Sequence, residues 1–225
     1  MADLTGLNPT LAKAQISDFY DTGYAIGEDF EMNCVRPFLR EMGTAWYSPK
    51  AVEFWSVHMY DILVSVLTYS DMLNNVCVKA TNAYNKLASS NGLPSITDTK
   101  FSEERNSREL WNDGSLGLTE LSIYFQEASP NGDVGMDVPK VRSLISTLKQ
   151  GAKKFAMNVE ELPVTIAFYD PDATLQETYK GLVRAGVAEV LKSIISMSAD
   201  MDAAIQEEEN AVVAAKESAA STMAG

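Results

Sequence analysis

The chain carries one histidine, His58, and two cysteines, Cys34 and Cys77, so imidazole or thiolate chemistry has to pass through these three positions. His58 follows Trp55 by about one helical turn, and no nucleophilic Ser or Cys stands at a spacing that assigns it to this ring. That favours a structural histidine over a general base. A carboxylate-bridged metal bundle needs paired Glu-x-x-His motifs, which a single histidine cannot supply. The cysteines lie far apart without Cys-x-x-Cys or His company. They read as buried small apolar residues, not as a zinc site or disulfide framework. Gly43 and Gly92 are isolated cap or turn glycines, not a phosphate loop. The sequence therefore predicts no enzyme, no metal and no cofactor.

Charge narrows the partner class. The formal net charge is −13 and the pI near 4.5, whereas a grip on nucleic acid or an anionic membrane needs clustered Lys and Arg. A basic or neutral protein is the easier partner. The run Glu207-Glu208-Glu209 reads as a solvated helix face, with recognition by a partner as the alternative. Methionine is abundant at 10 residues, with Met197 and Met201 one turn apart, which fits core filling before an adaptable partner groove. No basic segment followed by an apolar run opens the sequence, so no Sec-type signal is expected. No stretch of about 18 uninterrupted apolar residues predicts a membrane span. The longest apolar region, Ile62 to Leu67, is broken by Ser65 and reads as core.

These residues need elements to hold them, and the apolar periodicity supplies long helices. Asn8-Pro9 is a cap-then-proline start. From there Ile16, Phe19, Gly23, Ile26, Phe30, Cys34, Phe38 and Met42 mark one helical face, predicting a helix from Pro9 to Met42 weakened at Gly23, Gly27 and Pro37. Ser48-Pro49 repeats the signature and opens a second helix of roughly 40 residues, about 60 Å, ending near Asn91-Gly92. Its stripe is Val52, Trp55, Met59, Ile62, Val66, Leu73, Val76, Ala80, Tyr84 and Leu87. Long helices joined by a short turn hide their stripes by packing as an antiparallel hairpin.

Turn signals punctuate 93–135, which reads as an irregular connector folded onto the bundle. A short helix is expected around Ser102 to Trp111, and Leu116 to Phe125 is ambiguous between helix and strand. Asp137 with Pro139 caps a third helix carrying Val138, Val141, Ile145, Leu148, Phe155, Val159 and Leu162. Asp170-Pro171 opens a fourth carrying Leu175, Tyr179, Leu182, Val187, Leu191, Ile194, Met197, Met201 and Ile205. Beyond Gln206 the Ala, Glu and Ser content predicts fraying into a flexible tail. The expected architecture is all-α: a hairpin in 1–92, the connector in 93–135, and a second hairpin plus tail in 136–225, together forming an elongated four-helix bundle.

Ala45-Trp46-Tyr47-Ser48-Pro49-Lys50-Ala51 and Ala167-Phe168-Tyr169-Asp170-Pro171-Asp172-Ala173 align without a gap. Each heptapeptide lies between two long helices, which points to a duplicated helix-turn-helix unit. The stretch Leu39 to Phe54, with Trp46 in the turn, apolar residues before it and Ala51-x-x-Phe54 after it, resembles the WXG-type, ESAT-like proteins of type VII secretion. Ser48 stands where that family has Gly, and Phe168 and Asp170 replace both signature residues in the second repeat. The family's Tyr-x-x-x-Asp/Glu export signal is missing after the second helix. Tyr84 is followed by Ala88 and Tyr179 by Val183, while the formal match Tyr24 with Glu28 lies in the first helix. The resemblance implies that a partner supplies such a signal.

The resemblance further implies a non-enzymatic secreted substrate or targeting partner, exported without a Sec signal or cytoplasmic before export, alone or as a homo- or hetero-oligomer. The alternative is a helical scaffold or adaptor of a phage or surface assembly. Candidate partner-binding residues are Trp46, Tyr47, Ser48, Phe168, Tyr169 and Asp170. Either the aromatic rings close the ends of the bundle or they offer an apolar surface to a partner.

Overall fold

Asn8 starts the first helix with its side-chain oxygen accepting from the amides of Thr10 and Leu11 at 2.9 and 3.2 Å. The structure, a computed structural model, describes residues 8–97, 99–106, 125–162 and 174–224. Helix α1 (Pro9–Phe30) continues through a π turn (Glu31–Val35) into α2 (Arg36–Met42). Pro37 lacks the amide that would bond one turn back, and the wider turn just ahead of it absorbs the mismatch. Strand β1 (Trp46–Tyr47) leads into α3 (Pro49–Ser90), 42 residues long, and the Ser48 hydroxyl caps that helix by accepting from the Ala51 amide at 2.9 Å. At its end Gly92 takes φ 66°, Leu93 N–H bonds Ala88 O at 2.8 Å, and Gly92 N–H bonds Ser89 O at 3.3 Å. This paired closure is a Schellman motif, for which glycine is the favoured residue.

Strand β2 (Gly135–Met136) precedes α4 (Val138–Glu160), which Asp137 caps through the Lys140 amide at 3.1 Å. The last helix, α5 (Thr174–Ala224), is 51 residues long. The fold is all-α, with two antiparallel hairpins packed as a four-helix bundle. Cross-helix contacts fix the directions. Tyr69 meets Gly23 and Cys77 meets Ile16, so α1 and α3 oppose. Phe30 stacks on Phe155 and the Cys34 sulfur lies 3.9 Å from Leu148 O, so the α1–α2 rod and α4 oppose. Lys50 pairs with Glu207 and His58 meets Asp200, while Arg142 pairs with Glu209 and Arg184 with Glu160, so α5 opposes both α3 and α4. One continuous core runs through both hairpins, and most of the predicted stripe residues lie in it.

With α3 and α4 both pointing away from Trp46, the connector has to climb the whole bundle beside α3. Asparagines guide it. Asn85 accepts from the Ile96 amide at 2.7 Å and donates to its carbonyl at 3.0 Å. Asn75 treats Arg105 identically, at 2.7 and 3.0 Å. Phe125 then stacks on Trp55 with centroids 5.0 Å apart. The climb ends where β2 pairs antiparallel with β1, Trp46 opposite Met136 and Tyr47 opposite Gly135.

Three expectations change. The Trp46–Pro49 segment is not a free turn, because its first two residues form a strand edge satisfied by β2. Residues 102–106 of the expected short helix at Ser102 to Trp111 are not helical, since the Asn75 amide occupies both backbone groups of Arg105. The tail after Gln206 is helical to Ala224. Its residues are mostly good helix formers, and extending a helix already anchored in a bundle avoids the nucleation penalty. The second aromatic turn, Phe168-Tyr169-Asp170-Pro171, and the segment 107–124 lie outside the described residues.

Two measurements check this description. Ser48→Ala should lower stability by about 1 kcal/mol, read as a shifted urea midpoint, because it orphans the Ala51 amide. The second concerns alkali. Burial pushes the Cys77 thiol from its ordinary 9.0 up to about 12, against a smaller lowering by Lys100. Burial likewise raises the Tyr69 phenol. Between those limits the unfolded chain loses protons that the folded chain keeps, so stability is full below the unfolded value and falls as pH rises through the window. The urea midpoint should therefore drop from about pH 8 to about pH 10.5, and less steeply in Cys77→Ala. A flat profile in the parent protein would contradict the burial of both groups.

Candidate interaction surface at the first hairpin turn

Trp46 enters the bundle end because β1 is pinned on its outer edge by β2 and continues directly into α3. It is 1% exposed, with its ring 5.5 Å from Phe54 and 6.3 Å from Trp55, the latter edge-on. Trp55 also meets Phe38 edge-on at 5.9 Å. These offset and edge-to-face arrangements suit aromatic quadrupoles and seal the end of the core. The geometry thus assigns Trp46 to closing the bundle rather than to presenting a surface. Tyr47 is half-buried and Ser48 is buried as a cap.

The edge of Trp46 still forms part of the floor of a groove of about 590 Å³ between the start of α3 and α5. One wall is the α3 row Lys50, Glu53, Phe54, Val57 and His58, at the three- and four-residue steps of a single helix face. The other is the α5 row Asp200, Ala204, Glu207, Glu208 and Ala211. Val57 is 55% exposed and adds apolar surface to this wall.

His58 ties the walls together. Its Nε2 lies 3.4 Å from Asp200 Oδ2, and its ring centroid is 4.2 Å from that of Phe54. These contacts account for the histidine as a link between helices. Lys50 Nζ reaches Glu207 Oε2 at 2.7 Å, and this hydrogen bond holds Lys50 above and Glu207 below their ordinary values. Both groups are well exposed, so water screens the pair and it adds little stability. Glu53 and Glu208 have no cation at ion-pair distance among the described residues.

Past the groove α5 leaves the bundle. Residues 209–223 are all exposed, including Val212 at 52% and Val213 at 53%, so the helix stands out as an arm. Among the described residues no group of three His, Cys, Asp or Glu could hold a metal ion, and no helix is long and apolar enough to cross a membrane. Of the predicted site residues the groove holds Trp46 but not Tyr47 or Ser48; Glu208 belongs to the acidic run already considered for a partner, while Val57 and Asp200 escaped sequence reasoning. A signal for Val57 was present in its place off the core stripe. No protein-family model, no curated protein and no solved structure matches this chain. Fold and surface together define a class, an all-α four-helix bundle with an acidic, apolar-floored groove and a projecting helix.

Removing the indole should open a void under Phe54 and Trp55. Trp46→Ala is expected to cost about 3–5 kcal/mol and to lower the melting temperature sharply. A mutant melting with the parent protein would return Trp46 to the surface role.

Proposed function

We propose that this chain is a non-enzymatic, type VII secretion-associated helical protein that acts by protein–protein contact, as an exported substrate or as the targeting partner of one. The observation that carries the reading is the position of Trp46 at the turn between two long antiparallel helices, the arrangement that the WXG resemblance implies. The second hairpin then takes the place of a separate subunit, making the chain a fused pseudo-dimer. The groove beside Trp46 and the projecting end of α5 supply surface for a partner, which would bring the missing export signal.

A second reading is favoured by the enclosure of Trp46 among Phe54, Trp55 and the β1–β2 pair, since an indole that closes a bundle needs no secretion role. On that reading the protein is a helical scaffold or adaptor subunit of a phage or surface assembly. Export decides between them. Expressed in a host with a type VII apparatus, the protein or a co-expressed partner should reach the medium, and deletion of the secretion ATPase should abolish it. Retention of both in the cell regardless of the ATPase would leave the scaffold reading.

A further inference from the structure

We propose that the groove between the start of α3 and α5 is the docking site for a basic amphipathic helix of a partner protein. The inference rests on the reading that this bundle works through protein contact, and it specifies the chemistry of that contact. From Asp200 to Ala211 the groove runs about 16 Å, three helical turns. Both walls are helices whose backbone groups are spent internally. An extended strand laid here would leave its own amides and carbonyls unpaired, whereas a helix brings only side chains. Phe54, Val57, Ala204 and Ala211 offer the apolar strip that such a helix fills with residues at i, i+3 or i+4, and i+7.

Charge selects the occupant. Four carboxylates line the groove, Glu53, Asp200, Glu207 and Glu208, against Lys50 and His58. Lys50 is engaged by Glu207 and His58 by Asp200. Glu53 on α3 and Glu208 on α5 form no ion pair with Lys50, although both act on it from a distance, and they add negative charge for cations on the incoming helix. A second copy of this chain fits poorly, because a net charge of −13 on each copy opposes the approach.

The test uses the full chain and a synthetic, Trp-free, helix-stabilised peptide of about 15 residues, with leucines at the spacing above and lysines flanking them. A scrambled peptide of equal charge and a glutamate-flanked version serve as controls. Anisotropy of the labelled peptide and the chain's own tryptophan emission report binding. The basic amphipathic peptide should bind and both controls should not, with affinity falling as salt rises. Val57→Asp, and separately Glu53→Lys with Glu208→Lys, should each weaken binding about tenfold or more. Asp18→Lys, on the far part of α1, should leave it unchanged. Equal binding of the scrambled peptide, indifference to the groove variants, or no binding in the millimolar range would overturn the inference. So would a dimer in sedimentation velocity that Val57→Asp dissociates, since the occupant would then be a second copy. A chain exported in an ATPase-dependent manner whose groove ignores the peptide would overturn this inference alone and leave the secretion reading standing.

Discussion

Tyr69 sits at a close crossing of the helices, and glycines on two neighbouring helices face it. A β-carbon on Gly27 would lie 2.8 Å from its ring, and one on Gly186 would lie 3.0 Å from its Cα. Its hydroxyl donates to the Gly23 carbonyl at 2.9 Å, and Phe155 packs edge-on against its ring at 5.0 Å. One residue of α3 thus meets α1 and α4 with its side chain and α5 with its backbone. The same rule of close approach recurs at Gly151, where a β-carbon would fall 2.1 Å from the Cys34 sulfur, in the π turn. Burial raises that thiol, with Asp29 adding to the effect, so Cys34 is a packing element at the α1–α4 contact and a poor nucleophile.

The close central crossing sets the direction of every helix, and the direction of the helices dictates the connector. Since α3 and α4 run the same way, the chain must return along the bundle. Side-chain amides of Asn75 and Asn85 take the place of a neighbouring strand, each matching one residue's donor and acceptor at once; for the buried Ile96 this satisfies backbone groups withdrawn from water. The same return delivers Phe125 to Trp55 and β2 to β1, so the aromatic closure at Trp46 depends on a segment remote from it in sequence.

That end of the molecule is also where the bundle becomes unequal. Helix α3 begins at Pro49, level with Glu207 of α5, and α5 carries on to Ala224. An overhanging helix beside an apolar, acidic groove places unsatisfied surface in one region, while the aromatic seal beneath it holds the region rigid. Pairing an exposed valine with carboxylates on two packed helices puts apolar and acidic surface side by side at this end of the molecule.

What the sequence determined by itself was everything carried by short-range physics. The Asn8, Ser48 and Asp137 caps, the proline starts, the stop at Gly92 and the core stripes depend on neighbours within about one helical turn, so local spacing reveals them. The all-α class followed from them. The sequence also marked Gly23 and Gly27 as weak points, because propensity registers only the loss of helix-forming tendency. Tertiary structure decided the opposite role for them, as places where the Leu73 methyls and the Tyr69 ring approach so closely that an added β-carbon would force a neighbour to shift. It likewise decided the β1–β2 pair, the asparagine-guided connector, the arm of α5 and the groove. Each arises between residues far apart along the chain, whose meeting depends on the packing of all four helices and leaves no periodic trace in the order of residues.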